Sequence, residues 1–64
     1  MKPTIKYQAA DNAAYIRLSG GDILESSEVV PNVVFDYDAD GRIVGIELLD
    51  ARAQLSAELL SDAA

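Results

Sequence analysis

The chain contains no cysteine, no histidine and no tryptophan, and sets only 5 Lys and Arg against 11 Asp and Glu. Each absence excludes a kind of chemistry. Without cysteine there is neither a disulfide staple nor a thiolate nucleophile. Without cysteine or histidine a structural zinc lacks its usual ligands, and the commonest general base is missing as well. No enzyme and no cofactor is expected. The five cations (Lys2, Lys6, Arg17, Arg42, Arg52) are scattered through a chain of net charge −6. Phosphates are repelled by such a surface, so neither nucleic acid nor anionic membrane is an expected partner. Long apolar runs are missing too. The longest, Ala13–Ile16, falls far below the ~20 residues of a membrane span. Lys2 is followed at once by Pro3 and Thr4 rather than by the apolar segment of a secretory signal. Cytoplasm is the expected address, in keeping with the lack of cysteine.

What is present is a hydrophobic half, 50% of 64 residues, which is too much for a disordered acidic tail. One small domain, residues 1–64, is expected. By surface scaling a folded chain of this mass exposes about 3,950 Å² and buries only ~60% of its unfolded surface. At that size apolar burial and chain entropy nearly cancel, so either tight packing or oligomerisation must tip the balance.

The patterning is that of short strands. Ile5 and Tyr7 alternate with Thr4, Lys6 and Gln8, and Ala14, Ile16 and Leu18 alternate with Ala13, Tyr15, Arg17 and Ser19. Between them Ala9-Ala10-Asp11-Asn12 is a polar turn in which Asn12 tolerates a left-handed backbone. Pairing Gln8 with Ala13 sets Tyr7 opposite Ala14, Ile5 opposite Ile16 and Lys6 opposite Tyr15, so one face is apolar and the other wet. Gly20-Gly21-Asp22 breaks the pattern. Ile23–Val30, with polar Glu25-Ser26-Ser27-Glu28 at its middle, suits a sheet edge, and Pro31-Asn32 has the form of a turn.

Val33–Tyr37 and Ile43–Leu48 flank Asp38-Ala39-Asp40-Gly41-Arg42, a three-residue hairpin loop with Gly41 at positive φ. That register pairs Asp38 with Arg42, and Phe35 with Gly45, where the ring covers the missing side chain. It divides the hairpin into faces of Val33, Phe35, Tyr37, Ile43, Glu47 and of Val34, Asp36, Val44, Ile46, Leu48, both largely apolar. Asp50 is a candidate N-cap for one helix over Ala51–Ser61, with Ala51, Leu55 and Leu59 on its apolar side. The expected class is α+β: an antiparallel sheet of four to five short strands in hairpins, with one C-terminal helix.

The stretches Ala14-Tyr15-Ile16-Arg17-Leu18 and Glu25-Ser26, and the long run from Val34 to Glu47 with its Asp36-Tyr37-Asp38 and Asp40-Gly41-Arg42-Ile43-Val44-Gly45-Ile46-Glu47, resemble the small bacterial domain-of-unknown-function family 2283. The resemblance runs from Tyr7 to about Ala51. It departs at Gln8 and Asn12, where the family usually has acidic residues. It implies a short β-rich domain with no assigned activity and no catalytic or binding residues to carry over. It also implies a setting beside other small proteins, as in toxin–antitoxin pairs.

Three motifs invite sharper readings. Asp36, Asp38, Asp40, Gly41, Ile43 and Glu47 fill the EF-hand calcium pattern D-x-[DN]-x-[DN]-G-x5-E. The flanking residues, however, are β-branched, and a hairpin puts Glu47 about 16 Å up a strand from Arg42. Asp36 with Asp38 or Asp40 has the spacing of a catalytic carboxylate pair, although turn-flanking aspartates serve local hydrogen bonding and a chain this short offers little cleft. Tyr7, Tyr15, Phe35 and Tyr37 would stack nucleobases only beside a basic groove, which is absent, so cross-strand packing is expected. Gly20-Gly21 lacks the spacing of a phosphate loop. No catalytic, cofactor or metal residue is therefore assigned. The expected function is a non-catalytic interaction module that forms a homodimer or higher homo-oligomer and binds a protein partner, antitoxin-like. The alternative is a calcium-binding module built on the Asp36-Asp38-Asp40 turn.

Overall fold

Alternating residues around polar turns build the sheet. In the computed structural model, which describes residues 2–63, the strands are β1 (Thr4–Gln8), β2 (Ala13–Arg17), β3 (Glu25–Val30), β4 (Val33–Tyr37) and β5 (Ile43–Leu49), followed by helices α1 (Ala51–Gln54) and α2 (Ala57–Asp62). All pairings are antiparallel and the spatial order is β1-β2-β5-β4-β3. The architecture is α+β. The β1–β2 register is the one the alternation predicts, with Gln8 opposite Ala13, Tyr7 opposite Ala14 and Ile5 opposite Ile16. Asn12 and Asn32 take positive φ in their turns, at 50° and 68°, as their short polar side chains allow. β3 lies at an edge and every one of its residues is exposed. Among the described residues no helix is long and apolar enough to cross a membrane.

The β4–β5 hairpin closes as its turn residues require. The Asp38 amide donates to the Arg42 carbonyl at 2.9 Å, the Gly41 amide donates to the Asp38 carbonyl at 3.1 Å, and Gly41 has φ 78°. Past the turn the expected register fails. Tyr37 pairs with Ile43 but Asp36 pairs with Gly45, which leaves Val44 as an extra, bulged residue. Phe35 consequently faces Ile46, not Gly45, and Val33 faces Leu48. The bulge exchanges the faces of half a strand. Val33, Phe35, Tyr37, Ile43, Ile46 and Leu48 now share one face with Ile5, Tyr7, Ala14 and Ile16, and the expectation of two apolar faces is corrected. The Val44 carbonyl accepts from both Leu18 and Ser19 amides, at 2.9 and 3.3 Å, so the bulge also anchors the end of β2.

The single expected helix is two. Leu55 is extended, with φ −119° and ψ 150°, and Ser56 restarts the helix by accepting the Leu59 amide at 3.1 Å. The break shifts the helical phase, so Leu60 is buried and Leu59 is 39% exposed. Asp50 is not a side-chain cap. It takes a left-handed backbone with φ 52°, and Asn12 of the β1–β2 turn does the capping. The Asn12 carbonyl accepts the Ala51 amide at 2.8 Å, Asn12 Oδ1 accepts the Arg52 amide at 2.9 Å, and Asn12 Nδ2 donates to Asp50 Oδ1 at 2.9 Å. The helices close over Ala14 and Leu48, where Ala51 and Leu60 complete the core with Ile5, Tyr7, Ile16, Val33, Ile46 and Leu55 around them.

Nothing lies within 4 Å of a Cβ built on Gly41, so only its left-handed backbone demands glycine. Gly41→Val is expected to cost more than ~1 kcal/mol and Gly41→Asn distinctly less, measured as shifts in urea midpoint.

Candidate functional site

On the face opposite the helices, one row across the sheet runs Arg17, Gly45, Asp36, Ser26, on β2, β5, β4 and β3. Glycine leaves a gap in that row, and the Tyr15 ring fills it. A Cβ built on Gly45 would stand only 2.7 Å from Tyr15 Cζ, nearer than side chains approach. Tyr15, rather than Phe35, therefore covers Gly45. The diagonal reach brings Tyr15 Oη to Asp36, where it donates to Oδ2 at 2.8 Å. Ser26 Oγ donates to the other oxygen, Oδ1, at 2.6 Å. Asp36 is buried, at 7% exposure, and both of its oxygens are satisfied, as burial of a carboxylate requires.

Arg17 ties this network to the β2–β3 connection. Its Nε donates to the Ser19 carbonyl at 2.6 Å, its Nη2 to the Gly21 carbonyl, and its Nη1 to Tyr15 Oη at 3.4 Å. The connection is thereby held down where Gly21 passes over the bulged Val44, itself 2% exposed. Burial pushes the Tyr15 phenol above its ordinary 10.0; the Arg17 hydrogen bond pulls it down, while the bond to Asp36 and the Asp36 charge push it up. A phenol held protonated is a donor, and here it donates to a carboxylate. No buried side-chain nitrogen or oxygen among the described residues lacks a partner. The arrangement braces four strands and a crossover.

The residues of the calcium pattern are dispersed. Asp38 Oδ1 accepts the Asp40 and Arg42 amides at 2.9 and 3.0 Å, Asp36 is spent on Tyr15 and Ser26, and Glu47 stands mid-strand between Tyr15 and Val34. No three His, Cys, Asp or Glu side chains among the described residues come together to hold a metal. The carboxylate pair is likewise divided, because Asp36 and Asp38 serve different partners. The aromatic residues form no single platform. Phe35 and Tyr37 meet edge to face at 6.4 Å and 66°, Tyr15 lies on the opposite face, and Tyr7 packs under the helices with its hydroxyl accepting from Arg52 Nη1 at 3.3 Å. The helix break also leaves a surface groove of about 440 Å³ lined by Tyr7, Arg52, Leu55, Ala57, Leu60 and Ser61.

The Tyr15–Asp36–Ser26–Arg17 network is absent from the sequence expectations. Its one local signal is Gly45 inside the run Ile43-Val44-Gly45-Ile46, since a glycine within a strand marks a bulge or a close approach. A family model described as a protein of unknown function (DUF2283) matches residues 4–52. That span takes in all five strands and every residue of the network, and stops before α2. No curated protein and no solved structure matches the chain.

Two outcomes follow from this geometry. Gly45→Ala is expected to cost about 2 kcal/mol by forcing Tyr15 off the sheet, but much less in a Tyr15→Ala background. A double-mutant cycle should give a coupling above ~1 kcal/mol, and simple additivity would show that the ring does not lie there. Because the folded Tyr15 value stands above the unfolded 10.0, its contribution to stability is full below that pH and is lost as pH rises beyond it. Alkaline urea titrations should show a decline in the wild type that Tyr15→Phe lacks.

Proposed function

The chain belongs to the DUF2283 family of proteins of unknown function, and from its fold we propose that it is a non-catalytic interaction module that associates with itself. One observation carries the reading: the fold leaves several large apolar residues exposed. Among the described residues Ala14, Val44, Leu48, Ala51 and Leu60 are buried, while Ile23, Leu24, Val29, Val30, Ile43 and Leu59 stand exposed. The surface of 4338 Å² is roughly a tenth above the ~3,950 Å² of a compact monomer of this mass. The radius of gyration, 11.7 Å, exceeds the ~10.7 Å typical of this length. With no disulfide to staple it, a small open sheet gains most from covering apolar surface against another chain.

Sedimentation with and without calcium tests the proposal. The expected result is a mass above 6.8 kDa that grows with concentration and ignores calcium. A cooperatively folded 6.8 kDa species at every concentration would overturn it, and a mass that changes only with calcium would favour the acidic turn as a metal module.

A further inference from the structure

Beside the β4–β5 turn lies a small surface groove of about 320 Å³, lined by Leu24, Glu25, Tyr37, Asp38, Ala39 and Gly41. Strand register builds its floor. Glu25 on β3 stands opposite Tyr37, and Tyr37 opposite Ile43 on β5, so a carboxylate, a phenol ring and an aliphatic side chain share one row of the helix-bearing face. The row falls outside the cluster that Ala51 and Leu60 close. Phe35 meets the Tyr37 ring edge to face at 6.4 Å and steadies it. Leu24, whose amide donates to the Tyr37 carbonyl at 2.8 Å, forms an apolar wall and is 68% exposed. Glu25 is exposed as well. Asp38 spends Oδ1 on the Asp40 and Arg42 amides, yet its charge remains in the wall, and Arg42 stands outside that lining.

We infer that this groove takes an arginine side chain from a basic segment of a partner protein. Each part of that side chain has a counterpart here. The apolar stem lies along Leu24, as long cationic side chains cover apolar surface. The planar head stacks on the Tyr37 ring, whose negative face attracts a cation, and forks toward the Glu25 carboxylate at the ring's edge. A metal ion does not suit the same place. Among the described residues no three His, Cys, Asp or Glu side chains converge, whereas calcium takes about six to eight oxygen ligands. A second copy suits it no better, because it brings the same carboxylates and a net charge of −6 to the contact. A basic segment is drawn to that charge instead. The occupant is a different chain, so the site stands or falls apart from self-association.

Amide NMR shifts of the protein, titrated with the peptide acetyl-Ala-Leu-Arg-Ala-amide, test the site. Shifts should concentrate at Leu24, Glu25, Tyr37, Asp38 and Ala39, saturate at millimolar peptide, and weaken with salt. The same peptide with citrulline, neutral and of similar shape, should bind about 10-fold more weakly or worse, and with lysine several-fold more weakly. Glu25→Gln should cost about 5-fold or more in affinity. Glu58→Gln, which removes an equal charge from α2 outside the groove, should match the wild type. Tyr37→Leu should erase the preference for arginine over lysine. Circular dichroism checks its folding, and if it unfolds, Glu25→Gln decides. Shifts spread over the whole acidic surface, or equal losses from Glu25→Gln and Glu58→Gln, would mean charge attraction without a site and overturn the inference. Tighter binding of free arginine than of the peptide would overturn a partner chain as the occupant. Movement of the same amides with protein concentration alone would give the groove to a second copy and overturn the basic partner. No shift at millimolar peptide would remove the site and leave self-association, which sedimentation reads, untouched.

Discussion

A tyrosine lying on a glycine organises this sheet. Tyr15 reaches Asp36 only because Gly45 offers no side chain in the row between them. That contact commits β2 and β4 to their places on either side of β5, and Ser26 extends the same carboxylate's bonding to the edge strand β3. Arg17 completes the arrangement by holding the crossover that must pass from β2 to β3 around two intervening strands. In a domain with few buried hydrophobic residues, a satisfied polar network specifies strand order where apolar packing alone would leave it open.

The bulge at Val44 belongs to the same constraint. It moves Gly45 into register with Asp36 and Arg17, and in doing so turns Ile46 and Leu48 toward the helices. One extra residue thus separates an apolar face from a polar one. The helices then divide the apolar face unequally, since the break at Leu55 lets Leu60, rather than Leu59, reach the core. The remainder of that face holds Phe35, Tyr37 and Ile43, outside the cluster that Ala51 and Leu60 close.

The acidic turn illustrates how context overrules a pattern. Its residues satisfy an ion-binding spacing, yet Asp38 is consumed by the amides of its own loop and Glu47 is carried into the sheet by β-branched neighbours. Spacing along a chain becomes a site only when the backbone curls those residues toward one point, and a hairpin does the reverse.

Strand identities, the β1–β2 register, both asparagine turns and the Gly41 loop were legible in the chain itself, because each depends on residues within a few positions of one another: side-chain alternation, positive φ at Asn or Gly, and the Asp–Gly turn. The family resemblance lay in the same local runs. Tertiary structure alone decided what depends on partners far along the chain. Asn12 caps a helix that begins 39 residues later, Tyr15 rather than Phe35 covers Gly45, and the helix breaks where Leu55 and Leu60 must both meet the sheet. Local chemistry sets which conformations a segment prefers, whereas a bulge, a borrowed cap and a buried carboxylate gain their stability only when distant strands have already come together.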